Sequence, residues 1–323
     1  MRNPIMKLCL LFIAAVSAFA QAPHSNQFHI TRTIELGGEG SWDYLRYDLD
    51  GRRLFISRST HVMVADLAEG KLIGDIPGTD GVHGIAIVPS LGRGVTSNGK
   101  ANNAFIFDQH SLKVLATVAT GVKPDGILYE PFTKAVLTMN AGDNSISMID
   151  VAAAKVIATI ALPGRPETAI SDGKGNLFVN LEDKSQIAAI SLVTHKVVQT
   201  WDLAGCTEPT GLAIDAANAR LLTACHNSVF IVVDAGSGKN IQKLPIGLGV
   251  DAVAYDSELK TVFTTNKDGT LSVIRRIDAD HYENQETVQT LPGAKTIALD
   301  PERHLVYTVA NQNGKFVLLE IGR

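Results

Sequence analysis

Six ionisable side chains recur at nearly constant spacing: Asp43, His83, Asp125, Glu167, Asp251 and Lys295, with Thr210 filling the remaining place. The gaps between these seven positions are 40, 42, 42, 43, 41 and 44 residues. Each residue stands at or next to the start of a short apolar stretch, as in "PDGILYE", "PTGLAID" and "VDAVAYD". If such positions converge in space, four carboxylates would face one lysine and one imidazole. An opening lined mostly by one sign focuses its field and favours cations or polyols over anions. Carboxylates with amide oxygens are ligands for hard ions such as Ca²⁺, and the metal candidates are His83, Asp125 and Glu167. The implied cofactor, if one is bound, is therefore a divalent cation such as Ca²⁺. A merely water-filled polar opening is the alternative, because strand-end Asn and Asp also serve turns.

A second series lies about 15 residues further on, where the next apolar stretch ends: Arg58, Asn98, Asn140, Cys225, Asn266 and Ala310, with Asn180 two residues early in its unit. The sequence assigns Asn98, Asn140, Asn180 and Asn266 to the same opening as Asp43, His83, Asp125, Glu167 and Asp251, as ligand-binding residues.

The elements that must hold these residues repeat with the same period. Each unit reads as four short β-branched stretches separated by Asn, Gly and Asp turns, which predicts a four-stranded antiparallel sheet. A period near 42 residues fits a propeller blade and is too long for a leucine-rich repeat. Seven units predict an all-β, seven-bladed β-propeller of four-stranded antiparallel blades. The seventh unit stops one strand short, and "FHITRTIEL" near the N-terminus is spare, so an N-terminal strand is expected to close the last blade.

The strand endings "VTSN", "LTMN" and "FTTN", with "CTEPTGLAID", "LPIGLGVDAVAYD" and "DGTLSVI", resemble the YVTN-type, YncE-like β-propeller repeat proteins over nearly the whole chain. The resemblance implies an exported seven-bladed propeller and little about activity. By residue type alone, His83, Asp125, Asn140, Glu167 and Asn180 are similar to the metal-holding set of gluconolactonase-like propeller enzymes. A divalent-metal-dependent lactonase or lyase is thus the alternative to a binding protein without catalysis.

The first 22 residues, "MRNPIMKLCLLFIAAVSAFAQA", have a basic start, a short apolar core and an Ala-Phe-Ala cleavage pattern, which predicts a signal peptide over 1–20 and a propeller domain over 21–323. An exported protein, periplasmic or extracellular, with no membrane span follows. Without Arg2 and Lys7, 27 basic residues stand against 33 acidic ones, and no basic stripe remains for nucleic acid. Expected partners are a small molecule or a protein, and the chain is expected to be a monomer. Cys206 and Cys225 are the two cysteines left, and an oxidising compartment predicts their disulfide. Closing their loop of about 20 residues is worth roughly 3 kcal/mol in the chain-entropy model. No G-x-S-x-G, H-E-x-x-H or C-x-x-C motif is present.

Overall fold

The computed structural model describes residues 27–323; the expected signal segment lies outside the described residues. Among the described residues, short runs rich in Val, Ile, Thr and Phe, punctuated by Gly and Asn turns, become 27 strands, interrupted only by two single-turn 3₁₀ segments, Pro89–Leu91 and Glu182–Lys184. All pairings are antiparallel, and the strands form six sheets. No helix among the described residues is long and apolar enough to cross a membrane.

Four of the sheets follow the sequence unit directly, for example Pro124–Glu130, Ala135–Asn140, Ser145–Asp150 and Lys155–Ala161 in consecutive order. A fifth takes its outer strand from the far end of the chain. His29–Glu35 pairs with Lys315–Gly322, in a register that includes Ile30 opposite Ile321 and Glu35 opposite Val317, beside Leu305–Gln312 and Ala298–Asp300. The sixth has seven strands, from Leu45–Asp48 to Val114–Ala119, where the sequence predicts two separate blades. The reason is one 18-residue strand, Lys71–Val88, that stays extended through "GTDGVHG". Its first half pairs with Ser59–Asp66 and its second half with Arg93–Asn98, so it ends one repeat and begins the next.

The first strands of the units pack on one another in chain order. Leu45–Asp48 contacts Lys71–Val88, which contacts Pro124–Glu130, and so on through Pro166–Ser171, Pro209–Asp215, Val250–Asp256 and Ala298–Asp300; the last also contacts the first. Residues of all seven units line a single cavity of about 210 Å³, among them Tyr44, Ile85, Ile127, Thr168, Gly211, Ala252 and Ile297. We call this cavity the central channel.

Sheet faces bury their apolar side chains against the neighbouring sheet. Leu137, Met139, Ile146 and Met148 meet Leu177, Val179, Ala188 and Ile190 in one such layer. Each fully buried aliphatic side chain contributes about 1.5–3 kcal/mol. Another layer joins the first described strand to the C-terminal strands: Ile34 and Leu36 pack with Leu54, Ile56 and Met63, and with Tyr307, Val309, Phe316 and Leu318. Arg58 sits in this layer at 1% exposure. Its guanidinium lies 3.6 Å from the centre of the Phe316 ring and donates to the carbonyls of Gly37, Gly38 and Gly40. Burial lowers its pKa from the usual arginine range.

Cys206 and Cys225 are disulfide-bonded, with their Cα atoms 5.4 Å apart. The bond ties the loop before Pro209–Asp215 to the end of the paired strand Arg220–Cys225, as their places in the hairpin require.

Candidate functional site

Neighbouring first strands approach closely because glycine follows the key residue in three units. A Cβ on Gly84 would lie 2.6 Å from the Ile127 side chain, and one on Gly126 would lie 2.4 Å from the Glu167 carbonyl. Any side chain there would push the strands apart. At the same place the first strand carries one residue more than its partner. Pro124 and Ile127 face Asn140 and Thr138; Val82 and Ile85 face Asn98 and Thr96; Pro166 and Ala169 face Leu181 and Val179. The register at Val250/Ala252 shifts in the same way. A β-bulge breaks the alternation and re-aims the extra side chain. His83, Asp125, Glu167 and Asp251 all stand at these bulges.

Three of the residues meet. His83 Nδ1 is 2.7 Å from Asp43 Oδ2 and 3.5 Å from Asp125 Oδ1. Their potential ligand atoms all lie within 4.8 Å of one another. Ser97 Oγ donates to the Asp125 carbonyl and accepts from Gly84 N, which locks the two adjacent strands in place. Asp251 instead pairs with Lys295, at 2.8 Å. Glu167 lies beyond the three-residue cluster, and Tyr44 Oη reaches 3.5 Å from its Oε1 and from Thr168 Oγ1. A small cavity of about 30 Å³ is lined by Asp43, Tyr44, Glu167, Asp251 and Thr296. That is room for one water-sized species. Thr296 Oγ1 is buried without a hydrogen-bond partner among the described residues.

The electrostatics follow from crowding like charges in a half-buried place. Burial, and then the charges of Asp43 and Asp251, push the Asp125 carboxyl up to about 6, although His83 pulls it down. Burial first, then Asp125 and the other acids, hold Glu167 well above the ordinary carboxylate range. Burial also raises Asp251, against the pull of Lys295. For His83, burial favours the neutral ring, but the hydrogen bond to Asp43 and the charge of Asp125 outweigh it and the pKa rises. Tyr44 is raised by burial and by Glu167. Such a group of perturbed acids marks a candidate site.

The structure does not bring the second series to this opening. Asn98, Asn140, Asn180 and Asn266 are all fully buried. In three of them a threonine two residues earlier shares the same sheet face and donates to the amide oxygen: Thr96 to Asn98, Thr138 to Asn140 and Thr264 to Asn266. The amide nitrogen then donates to the next strand or its turn: to Asn103; to Ser145 and Ser147; and to Thr270 and Ser272. Asn180 lacks that threonine and reaches the next sheet, donating to the carbonyls of Thr210 and Gly211. These amides hold strands together, with their hydrogen-bonding groups engaged inside the protein. Thr210 is buried likewise, donating to the carbonyls of Ala224 and Val250. Sequence reasoning missed Tyr44 and Thr296; each adjoins a residue of the first series, but adjacency alone does not say which side chains turn inward. The T-x-N pattern was the available signal that the amides are internal, because period-2 geometry puts Thr and Asn on one face.

Asn140→Ala therefore tests the internal role. It leaves buried hydroxyls of Thr138, Ser145 and Ser147 short of a partner, at a cost of about 1–3 kcal/mol. Denaturant melts should show this loss, while ion binding at Asp43, His83 and Asp125 stays at the wild-type value.

No protein-family model matches the sequence, and no curated protein matches it. Solved structures do resemble it. Hydrazine synthase of Kuenenia stuttgartiensis aligns with a TM-score of 0.75 at 15% identity, over 85% of this chain and 94% of that one. A chain of the mitotic checkpoint complex aligns with a TM-score of 0.77 at 15% identity, over 97% of this chain and 99% of that one. Both are β-propeller proteins. At this identity the likeness is one of fold alone, and the fold of this chain is that of a β-propeller.

Proposed function

We propose that this chain is an exported, monomeric seven-bladed β-propeller of the YVTN type that binds a divalent cation, or a cationic or polyhydroxylated ligand, at the acidic opening of its channel. The blade count is supported by seven first strands that touch in succession, the last on the first, with Lys71–Val88 shared between two blades. Pairing of His29–Glu35 with Lys315–Gly322 supports closure of the last blade by the N-terminal strand. The T-x-N endings support the family reading, and the disulfide supports an oxidising, exported setting.

One observation carries the binding function: Asp43, His83 and Asp125, from three successive repeats, converge within 4.8 Å at the channel mouth. Two carboxylates and an imidazole fit a divalent ion. A set with a nitrogen donor and only two carboxylates suits Mn²⁺ or Zn²⁺ better than Ca²⁺, which takes six to eight oxygens. Glu167, by contrast with the expected metal set, stands outside this cluster. Calorimetric titration with Mn²⁺, Zn²⁺ and Ca²⁺ is the test. One ion per chain is expected, with Asp43→Asn weakening the affinity by about tenfold or more, as loss of a charged ligand should. No saturable heat with any ion, or unchanged binding by the variant, would sink the reading.

The second reading, a metal-dependent lactonase or lyase, is favoured by Glu167. Its carboxyl, raised above the ordinary carboxylate range by burial and the neighbouring acids, is the candidate general acid next to that cluster. Lactone hydrolysis that disappears with chelator and returns with added ion would favour it; no turnover with the ion bound would leave the binding function alone.

A further inference from the structure

The acidic opening leads into an apolar channel. Two places beyond each member of the first series the residue is apolar in every unit, from Leu45 and Ile85 to Val253 and Ile297. All of these apolar residues line the central channel of about 210 Å³. The polar residues of its wall are Tyr44, Thr168, Asp251 and Arg46. Tyr44 and Thr168 adjoin Asp43 and Glu167, and so belong, with Asp251, to the mouth; Arg46 is exposed. The cavity of about 30 Å³ at the mouth shares Tyr44, Asp251, Ala252 and Ile297 with the channel, so the two are continuous. Thr296 lines that small cavity at 3% exposure, and its Oγ1 has no hydrogen-bond partner among the described residues. The acids beside it are unequally matched. Asp43 has His83 at 2.7 Å and Asp251 has Lys295 at 2.8 Å. Among the described residues the Glu167 carboxyl meets only Tyr44 Oη, at 3.5 Å.

We propose that these two joined cavities bind a primary alkylammonium ion, with the ammonium against Glu167 and Thr296 and the hydrocarbon chain in the channel. The assignment rests on the reading of the acidic opening as a binding site and names the ligand class that uses its full depth. A water-sized head fits a cavity of about 30 Å³. An ammonium has three N–H donors, and a carboxylate with the hydroxyl oxygens of Thr296 and Tyr44 supplies their acceptors. The spacing here suits an ammonium better than a bare metal ion. Among the described residues only Asp43, His83 and Asp125 bring their ligand atoms within 4.8 Å, and Glu167 and Asp251 do not join them. A divalent ion needs oxygens at about 2.0–2.6 Å, whereas N–H···O bonds span about 2.7–3.2 Å and tolerate a wider set of acceptors. A water-sized group takes about 30 Å³ of liquid volume, so the channel has room for roughly six or seven heavy atoms. Burial of a chain against the apolar ring removes it from water, and the acids orient it with its head at the mouth.

Hexylamine, methylamine, hexanol and hexyltrimethylammonium are the probes, titrated calorimetrically against the full chain with chelator present. Hexylamine should bind saturably at one per chain. Methylamine should bind at least about tenfold more weakly, for want of buried methylenes. Hexanol, which lacks the charge, should also be weaker by about tenfold or more. Hexyltrimethylammonium should not bind, because its head outgrows the small cavity and donates no hydrogen bond. Glu167→Gln should weaken hexylamine by about tenfold to a hundredfold, the worth of a charge-assisted pair. Ala252→Phe, which fills the junction of the two cavities and leaves the acids in place, should abolish binding. The proposal falls if hexylamine gives no saturable binding, or if methylamine, hexanol or hexyltrimethylammonium binds as tightly. It falls equally if either variant, shown folded by circular dichroism, binds hexylamine like the parent. Titrating Mn²⁺, Zn²⁺ and Ca²⁺ separately keeps the two readings apart. An ion bound without hexylamine overturns the amine site alone, and hexylamine bound without an ion supports it while the ion site falls.

Discussion

Replacing Asp125 with Asn is expected to stabilise the protein near pH 8 and to weaken ion binding at the same time. The sign follows from the raised carboxyl. In the unfolded chain this group titrates near the ordinary value of 3.8, and in the folded protein near 6. The folded state therefore holds the proton more tightly, and stability is greatest below about pH 4 and falls as the pH climbs through 6. Near pH 8 the carboxylate is charged in both states, and the cost of keeping it so in the fold is on the order of 2–3 kcal/mol. The side chain is 22% exposed, so solvent screening removes only part of that cost. Asparagine keeps the shape and removes the charge. The melting temperature of the variant should exceed that of the parent by a few degrees near pH 8 and equal it near pH 3. His83 does not reverse this, because the raised carboxyl value already contains the downward pull of the imidazole. Equal melting temperatures at both pH values would show that the acidic opening costs nothing, and would remove the argument that its charges are held for binding.

Arg58→Ala is expected to be the most destabilising single change where His29–Glu35 meets Lys315–Gly322, by roughly 3–5 kcal/mol. The side chain comes from the second strand of the first unit, Arg53–Ser57, just past its end. It meets the loop after His29–Glu35 through Gly37, Gly38 and Gly40, and the C-terminal strand through Phe316. Truncation leaves three carbonyls without that donor and a cavity beneath an aromatic ring. Because His29–Glu35 and Lys315–Gly322 meet at this point, the loss should come with faster hydrogen exchange in both strands before the middle sheets respond. Chemical denaturation with exchange measured by mass spectrometry would check both. A loss below about 1 kcal/mol, or uniform exchange across all sheets, would mean that the ends are held by apolar packing alone.

Much of the architecture was legible along the chain, because a repeat announces itself in sequence. Four alternating apolar runs every 42 residues or so can bury their faces only against copies of themselves. The same regularity picked out Asp43, His83, Asp125, Glu167 and Asp251, each at the head of an apolar run. The disulfide was legible from two cysteines flanking one hairpin. Side-chain direction was not. Asn98, Asn140 and Asn266 end strands near the opening, yet each turns into its sheet, where hydroxyls two residues away and on neighbouring strands satisfy its amide, and Asn180 turns to the carbonyls of the next sheet.

What the sequence determined by itself, then, was a repeating unit, its strands and the positions that recur. Only the tertiary structure decided which of those positions meet. The bulge at Pro124–Ile127 and the absent Cβ of Gly126 turn Asp125 toward His83, and Asp43 completes the group, while Lys295 claims Asp251 instead. Distances of this kind depend on how sheets pack across a ring, which couples residues 40 or more apart. No local pattern encodes that coupling, because it arises from contacts each repeat makes with its neighbours.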